Sequence, residues 1–344
     1  MANSFFKTLT SADRTQSRTL LHENIPITGT LLSGTYATAS SGREVNIKTF
    51  SHGMFQSVYD YPYASSSANH ILDLSVGFST NASSLSSSAT SQASKKVNIY
   101  NQMAQVLVGY DTGSNVRTFD ADGNFSGSSG KHHNAVFINF SRLLTKDEIK
   151  KGSFSMIIGT GSSYSTPFSD TATISDSGAT TSYLSNSPAG EYGLLKNGST
   201  NVGLIYYQAG IAVLTSSVFN NSSEMNSSAH TMEGLMTGSS IDVVSDAMRH
   251  RIQNISFNNT TELNSTIFFC RANHNEFNYS SNPTYLSGSK IIVKNDEPLN
   301  LPRAYVTTVG LYSPDNELMA VAKVSEPLRK DPTNELTLRV RLDY

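Results

Sequence analysis

Residues 305–344 read YVTTVGLYSPDNELMAVAKVSEPLRKDPTNELTLRVRLDY and carry the sharpest structural signal in the chain. Val306, Thr308, Gly310 and Tyr312 alternate with Tyr305, Thr307, Val309 and Leu311. β-Branched and aromatic side chains dominate both sets, which is strand composition at a strand period. Ser313-Pro314-Asp315-Asn316 supplies a turn: Pro314 fixes its own φ, and Asp315 and Asn316 tolerate tight backbone. A second strand follows, with Leu318, Ala320 and Ala322 on one side and Met319, Val321 and Lys323 on the other, so the pair predicts a β-hairpin. Pro327 and Pro332 are expected to break the pattern. Beyond them Leu336, Leu338, Val340 and Leu342 alternate with Thr337, Arg339, Arg341 and Asp343. That spacing predicts a half-buried third strand, apolar inside and charged outside, completing a terminal sheet.

Working outward, the whole composition suits a β-rich protein with a neutral surface. Of 344 residues only 15% are charged, with 25 basic against 27 acidic side chains and a net charge of −2. The surface must therefore be built from Ser, Thr, Asn and Gly, as in particle and adhesin proteins, and there is no electrostatic reach for nucleic acid or an anionic membrane. The length is enough to bury a sizeable core. A single cysteine, Cys270, inside Ile267-Phe268-Phe269-Cys270, excludes an intrachain disulfide and reads as a small buried hydrophobe. The first residues, MANSFFKTLTSADRTQSR, lack the apolar core of a signal peptide, and no run approaches the roughly 18–20 apolar residues that span a bilayer. A soluble protein made in the cytoplasm is expected.

Three regions are expected. Residues 1–30 form an N-terminal arm, anchored by Phe5-Phe6 and Leu20-Leu21, that either frays or orders against a neighbouring subunit. Residues 31–237 form a β-rich middle region with a helix near 97–109. Residues 238–344 form a helix and the terminal sheet, sharing a core with 31–63. Between glycines at 29, 34, 42 and 53, the bursts Ile27, Leu31-Leu32, Val45–Ile47 and Met54-Phe55 suggest strands and turns. Residues 71–78, 135–140, 154–158, 204–207, 211–214, 267–269 and 291–293 read as strands; 80–94, 159–200 and 216–237 read as polar loops and turns. In the first helix Ser94 is the expected cap, and Tyr100, Met103, Leu107 and Tyr110, widened by Ile99 and Val106, form the buried stripe. A short helix is expected after Thr145, with Asp147 and Glu148 in its first turn. A longer one is expected over 240–252, capped by Ser240 and buried along Ile241, Val244, Met248 and Ile252. The fold class is thus α+β, predominantly β, with a sandwich-like core.

No residue pattern supports catalysis, a cofactor or a metal. His132-His133 stand in a loop without further ligands at metal spacing. Asp120-Ala121-Asp122-Gly123-Asn124 lacks the later glycine and glutamate of a calcium loop and reads as a hairpin turn. Gly159-Thr160-Gly161 is too sparse for a phosphate loop, and Gly127-Ser128-Ser129-Gly130 does not complete a nucleophile elbow. Arg249-His250-Arg251 is placed on the solvated face of the second helix. Asn278-Tyr279, Pro62-Tyr63 and Tyr206-Tyr207 are candidates for sugar stacking or for a subunit interface.

The hairpin TVGLY–SPDN–ELMAVAK resembles hairpins in tail-fibre and baseplate-associated proteins of tailed bacteriophages. VYDYPYASSSANHILDLSVGF (58–78), VNIYNQMAQVLVGYD (97–111), NSPAGEYGLL (186–195) and FFCRANHNEFNYSSNPTYL (268–286) resemble virion structural proteins of large contractile-tailed phages of marine bacteria, cyanophages among them. The resemblance implies a non-catalytic subunit of the particle, in the tail or baseplate, whose partners are copies of itself and other phage structural proteins. A head decoration or neck/collar subunit, or a receptor- or glycan-binding fibre module, is the alternative.

Overall fold

A computed structural model describes residues 6–21, 44–83, 85, 90–279, 286–288, 290–291, 299 and 301–344. Phe5, Ile27, Leu31, Leu32, Val293, Gly29, Gly34 and Gly42 lie outside them. The chain divides into two units, Leu21–Thr261 and Met1–Leu20 with Glu262–Tyr344. The arm contributes β1 (Arg14–Leu21) to the second unit, after one turn of 3-10 helix at Ser11–Asp13. β1 pairs with a strand of its own chain.

The large unit holds β2 (Ile47–Thr49), β3 (Gln56–Tyr59), β4 (His70–Phe78), β5 (Asn134–Phe140), β6 (Glu148–Ile149) and β7 (Ser155–Gly159). It continues through β8 (Thr171–Ser175), β9 (Leu184–Ser187), β10 (Gly190–Asn197), β11 (Thr200–Tyr206), β12 (Ile211–Thr215) and β13 (Ile252–Ser256). Eleven of these form one sheet in the order β13-β7-β8-β10-β11-β12-β5-β4-β3-β2, with β9 on β10. Its ladders are antiparallel, as Leu74↔Ile138 and Leu204↔Val213 illustrate. Leu72, Leu74, Val76 and Phe78 on one side of β4 and Ile71 and Ser75 on the other are all buried, so this central strand is covered on both faces. Every member of the buried apolar cluster lies between Ile47 and Phe257.

Two helices lie on β4. α1 (Ser91–Leu107) starts four residues before the expected position: Thr90 accepts a hydrogen bond from the Ala93 amide at 3.2 Å, and the Ser94 amide is already bonded to the Thr90 carbonyl. Its buried stripe is Ala93, Lys96, Ile99, Tyr100, Ala104 and Leu107, whereas Val106 and Tyr110 are exposed. Gly77 lets α1 approach, because a Cβ there would stand 2.7 Å from the Lys96 carbonyl and 2.9 Å from the Tyr100 amide nitrogen. The expected helix after Thr145 is displaced: α2 (Arg142–Thr145) ends there, since Lys146 takes φ +52°, and Glu148-Ile149 becomes β6 instead. α3 (Ala179–Ser182) and α4 (Met232–Gly238) are short. α5 (Ile241–Arg251) follows Ser240 as expected, with Ile241, Val244, Met248 and Ile252 all buried.

The second unit is built of β14 (Asn259–Ala272), which enters it at Glu262, with β15 (Leu286–Ser287), β16 (Lys290–Ile291), β17 (Ala304–Tyr312), β18 (Leu318–Lys330) and β19 (Leu336–Asp343). The chain is α+β and predominantly β, as the sequence indicates. Its partition differs from expectation. Contacts divide the chain at 261/262 instead of 237/238; α5 of the expected C-terminal region does share a core with β2 and β3, whereas the terminal strands do not pair with them. The region 159–200, read as turns, contains β8, β9 and β10: Thr171-Ala172-Thr173-Ile174 buries only Ala172 and Ile174, too few apolar residues to announce a strand.

Candidate assembly surface

The terminal unit has strands but hardly any core. Among its described residues Ala304 and Val340 are the only buried apolar side chains. β19 pairs antiparallel with β14 from Ser265↔Asp343 to Ala272↔Leu336. Its alternation is as expected: Val340 is buried, Leu336, Leu338 and Leu342 are half-buried, and Thr337, Arg339, Arg341 and Asp343 are exposed. The third strand therefore does not extend the hairpin; it joins the sheet β1-β14-β19. Asp343 accepts hydrogen bonds from Ser265 and from Arg341 Nε at 2.7 Å, which holds its carboxyl below the usual range. Cys270 is half-buried in β14, and burial pushes its thiol up.

β17 and β18 form a two-stranded ribbon to which no other described strand is hydrogen-bonded. The register pairs Val306 with Leu328, Val309 with Ala322 and Leu311 with Ala320, all half-buried, and Ala304 with Lys330, both buried. Tyr305, Thr308, Gly310, Tyr312, Leu318, Val321 and Lys323 are all exposed; Tyr305 is 56% and Val321 52% accessible. Phe6 reaches this ribbon, edge-on to Tyr312 with ring centroids 4.9 Å apart. β18 runs straight through Pro327, contrary to the expected break. Between the pairs Val306↔Leu328 and Thr308↔Lys323 the ladder is interrupted, so Val324, Ser325, Glu326 and Pro327 bulge out. A proline sits there without removing a ladder hydrogen bond.

The ribbon's two strands are chemically unlike. β18 carries Lys323, Glu326, Pro327 and Arg329, the charges and proline that keep an edge from pairing with other chains. At its end Lys330 is held by the Asn278 Oδ1 at 2.7 Å and the Asp331 and His274 carbonyls at 2.9 and 3.2 Å. β17, with the sequence AYVTTVGLY, has no charge and no proline. The hairpin is legible in the sequence; that it stands apart from the terminal strand is not. The signal that marks it is the uncharged run 304–312.

The remaining candidate residues become structural. Tyr206 and Tyr207 are fully buried, so neither stacks on a sugar; the Tyr207 hydroxyl bonds to Asp176 Oδ2 at 3.1 Å. Tyr63 and Tyr279 are exposed, and Asn278 is buried on Lys330. His132 is buried, which lowers its pKa, and His133 bonds through Nδ1 to Ser79 Oγ at 2.7 Å. Asp120 pairs with Lys131 across the expected turn, where Gly123 has φ +73°. The largest departure is Arg249-His250-Arg251. Both arginines are fully buried. Arg251 donates to the carbonyls of Gly161 and Glu224 at 2.8 Å, Gly159 at 3.1 Å and Ser163 at 3.4 Å. Gly159-Thr160-Gly161 thus presents carbonyls to a cation, the opposite of a phosphate cradle. His250 lies between Glu44 Oε1 at 2.6 Å and the Tyr164 carbonyl at 2.9 Å.

Among the described residues no group of three or more His, Cys, Asp or Glu side chains converges as a metal site, and no helix is long and apolar enough to cross a membrane. Comparison with family models, with curated proteins and with solved structures finds no match to this chain.

Proposed function

We propose that this chain is a structural subunit of a tailed-bacteriophage particle, in the tail or baseplate, and that it works by assembly without catalysis. The observation that carries the reading is the ribbon β17–β18, strands without a core beneath them and with exposed apolar side chains on their outer face. An isolated two-stranded ribbon is marginal in water, and such a surface is stable only when something covers it. The segment-by-segment resemblance to virion proteins of contractile-tailed phages supplies the kind of assembly. The low-charge surface supports it too, because copies packed side by side meet little like-charge repulsion. The partners are other copies of the chain and other particle proteins, joined through strand edges and apolar contacts.

Quantitative mass spectrometry of purified particles, separated into heads and tails, tests this. Recovery with tails at a fixed copy number is expected. Recovery with heads would move the subunit to a decoration or collar role, and absence from particles would overturn the reading.

A further inference from the structure

We infer that Glu44, His250 and Tyr164 form a proton-dependent latch in the large unit: one proton shared by the Glu44–His250 pair fastens the loop 162–166 to the end of α5, and its loss frees Tyr164. The inference does not depend on the particle reading above.

The ring of His250 stands between two acceptors. Its Nδ1 lies 2.6 Å from Glu44 Oε1 and its Nε2 lies 2.9 Å from the Tyr164 carbonyl oxygen. A carbonyl has no hydrogen to give, so Nε2 carries one and donates it. A neutral imidazole then has a bare lone pair at Nδ1, and a lone pair does not bond an ionised carboxylate at 2.6 Å. The contact needs one more proton, held on Nδ1 as imidazolium or on Glu44 as the acid. With either placement the pair carries one proton more than a neutral imidazole and a carboxylate apart. Three features of the surroundings favour that proton. The Glu44 side chain is only 3% accessible, so water does not replace the ring. The Tyr164 ring is stacked on the imidazole, centroids 4.2 Å apart, where an aromatic face attracts a cation. His250 also stands in the last turn of α5, the end of a helix that favours positive charge.

The loop is fastened twice, and one fastening titrates. Its base is held by Arg251, which donates to the carbonyls of Gly159, Gly161 and Ser163 and keeps its charge. Its tip is Tyr164, the one bulky side chain in Ser162-Ser163-Tyr164-Ser165-Thr166. His250 holds that tip, and histidine is the side chain whose charge ordinarily changes between about pH 5 and 8. Once the shared proton passes to solvent, Glu44 and Nδ1 repel each other. Tyr164 is then left on the longer bonds that Glu224 Oε2 accepts, 3.3 Å from the Tyr164 amide and 3.1 Å from Ser163 Oγ.

The neighbouring ionisable groups have partners of their own. Asp246, one turn back on α5, accepts from the Glu44 amide at 3.0 Å, and Arg249 donates to Asn46 Oδ1 and the Ile252 carbonyl. Among the elements packed against α5, β2 brings Lys48, set over the Phe50 ring, and β4 brings His70 and Asp73, paired at 2.9 Å. β3 brings Tyr59 and α4 brings Glu233, whereas β13 and the 3-10 turn Pro167–Ser169 carry no ionisable side chain. Both nitrogens of His250 being taken, none of these bonds the ring.

The test digests the full chain with a broad-specificity protease, beside a Glu44→Gln variant at the same pH. The glutamine carboxamide donates to a bare Nδ1, so in that variant a neutral imidazole is satisfied on both sides without the extra proton. Comparing the two chains at each pH cancels the protease's own pH dependence. Cleavage within 162–166, identified by mass spectrometry, follows the population of the opened loop. The two chains are expected to be cut there equally at about pH 5.5, and the original about tenfold faster than Glu44→Gln at about pH 9, because only the original has lost a charge-assisted bond. Equal cutting of the two chains at the higher pH, or faster cutting of the variant, would overturn the latch.

Discussion

The two units of this chain use their strands differently. In Leu21–Thr261 the central strands are covered on both faces, and its helices close over them. In the terminal unit the strands are as long, but among described residues only Ala304 and Val340 are buried apolar groups. Hydrogen-bonded ladders are common to both, so ladders alone do not explain stability. The net gain per backbone hydrogen bond is small, and burial of apolar area contributes more. The large unit is thus a scaffold that needs nothing further. On the proposed reading the terminal unit is a surface that a partner completes.

The comparison can be broken by matched truncations. Leu74→Ala, in the covered centre of β4, should cost about 2–5 kcal/mol, while Val321→Ala on the ribbon should stay within about 0.5 kcal/mol. Chemical denaturation of both variants decides it; equal losses would mean that the ribbon is as well packed as the sheet. Arg251→Met should come next, at about 3 kcal/mol, because four buried carbonyls lose a charged donor. Hydrogen exchange should quicken at 159–165 and near Glu224 and leave the terminal unit unchanged.

Lys96 gives a smaller effect with a pH signature. It is fully buried and its Nζ donates to the carbonyls of Met236 and Ser239 (2.7 Å for the latter), satisfying the end of α4. Lys96→Met should cost about 1–3 kcal/mol at neutral pH. Burial pulls the Lys96 ammonium down to about 8 from its ordinary 10.5. Between those values the unfolded chain binds more protons than the folded one, so folding stability rises with pH there. The original chain should therefore gain on Lys96→Met as pH climbs from about 8 to 10.5, and the difference should be flat below 8. Denaturation midpoints of the two proteins across that range check the sign.

The sequence makes periodic elements legible and hides what depends on neighbours. α5, β4, β5, β11 and β12 follow from apolar spacing, because their buried side chains are themselves the signal. Arg249 and Arg251 do not, since a cation reads as solvent-facing until the carbonyls that take its hydrogens are in place. The division of the C-terminal stretch is hidden for a related reason. β19 and β18 have the same alternation, and only pairing with β14 tells them apart. Of the assembly surface, the hairpin is visible in residues 305–323. The contrast between a guarded β18 and a bare β17 emerges only once the bulge places Pro327 inside a strand.

Hydrogen exchange on the dilute, free chain tests most directly whether the terminal unit is an unfinished surface. Slow exchange is expected at 134–140 and 202–206 and fast exchange at 304–312 and 318–330, with the ribbon alone becoming protected as concentration rises. Ribbon amides as slow as those of β5 at the lowest concentration would contradict it, for the terminal unit would then be complete without a partner.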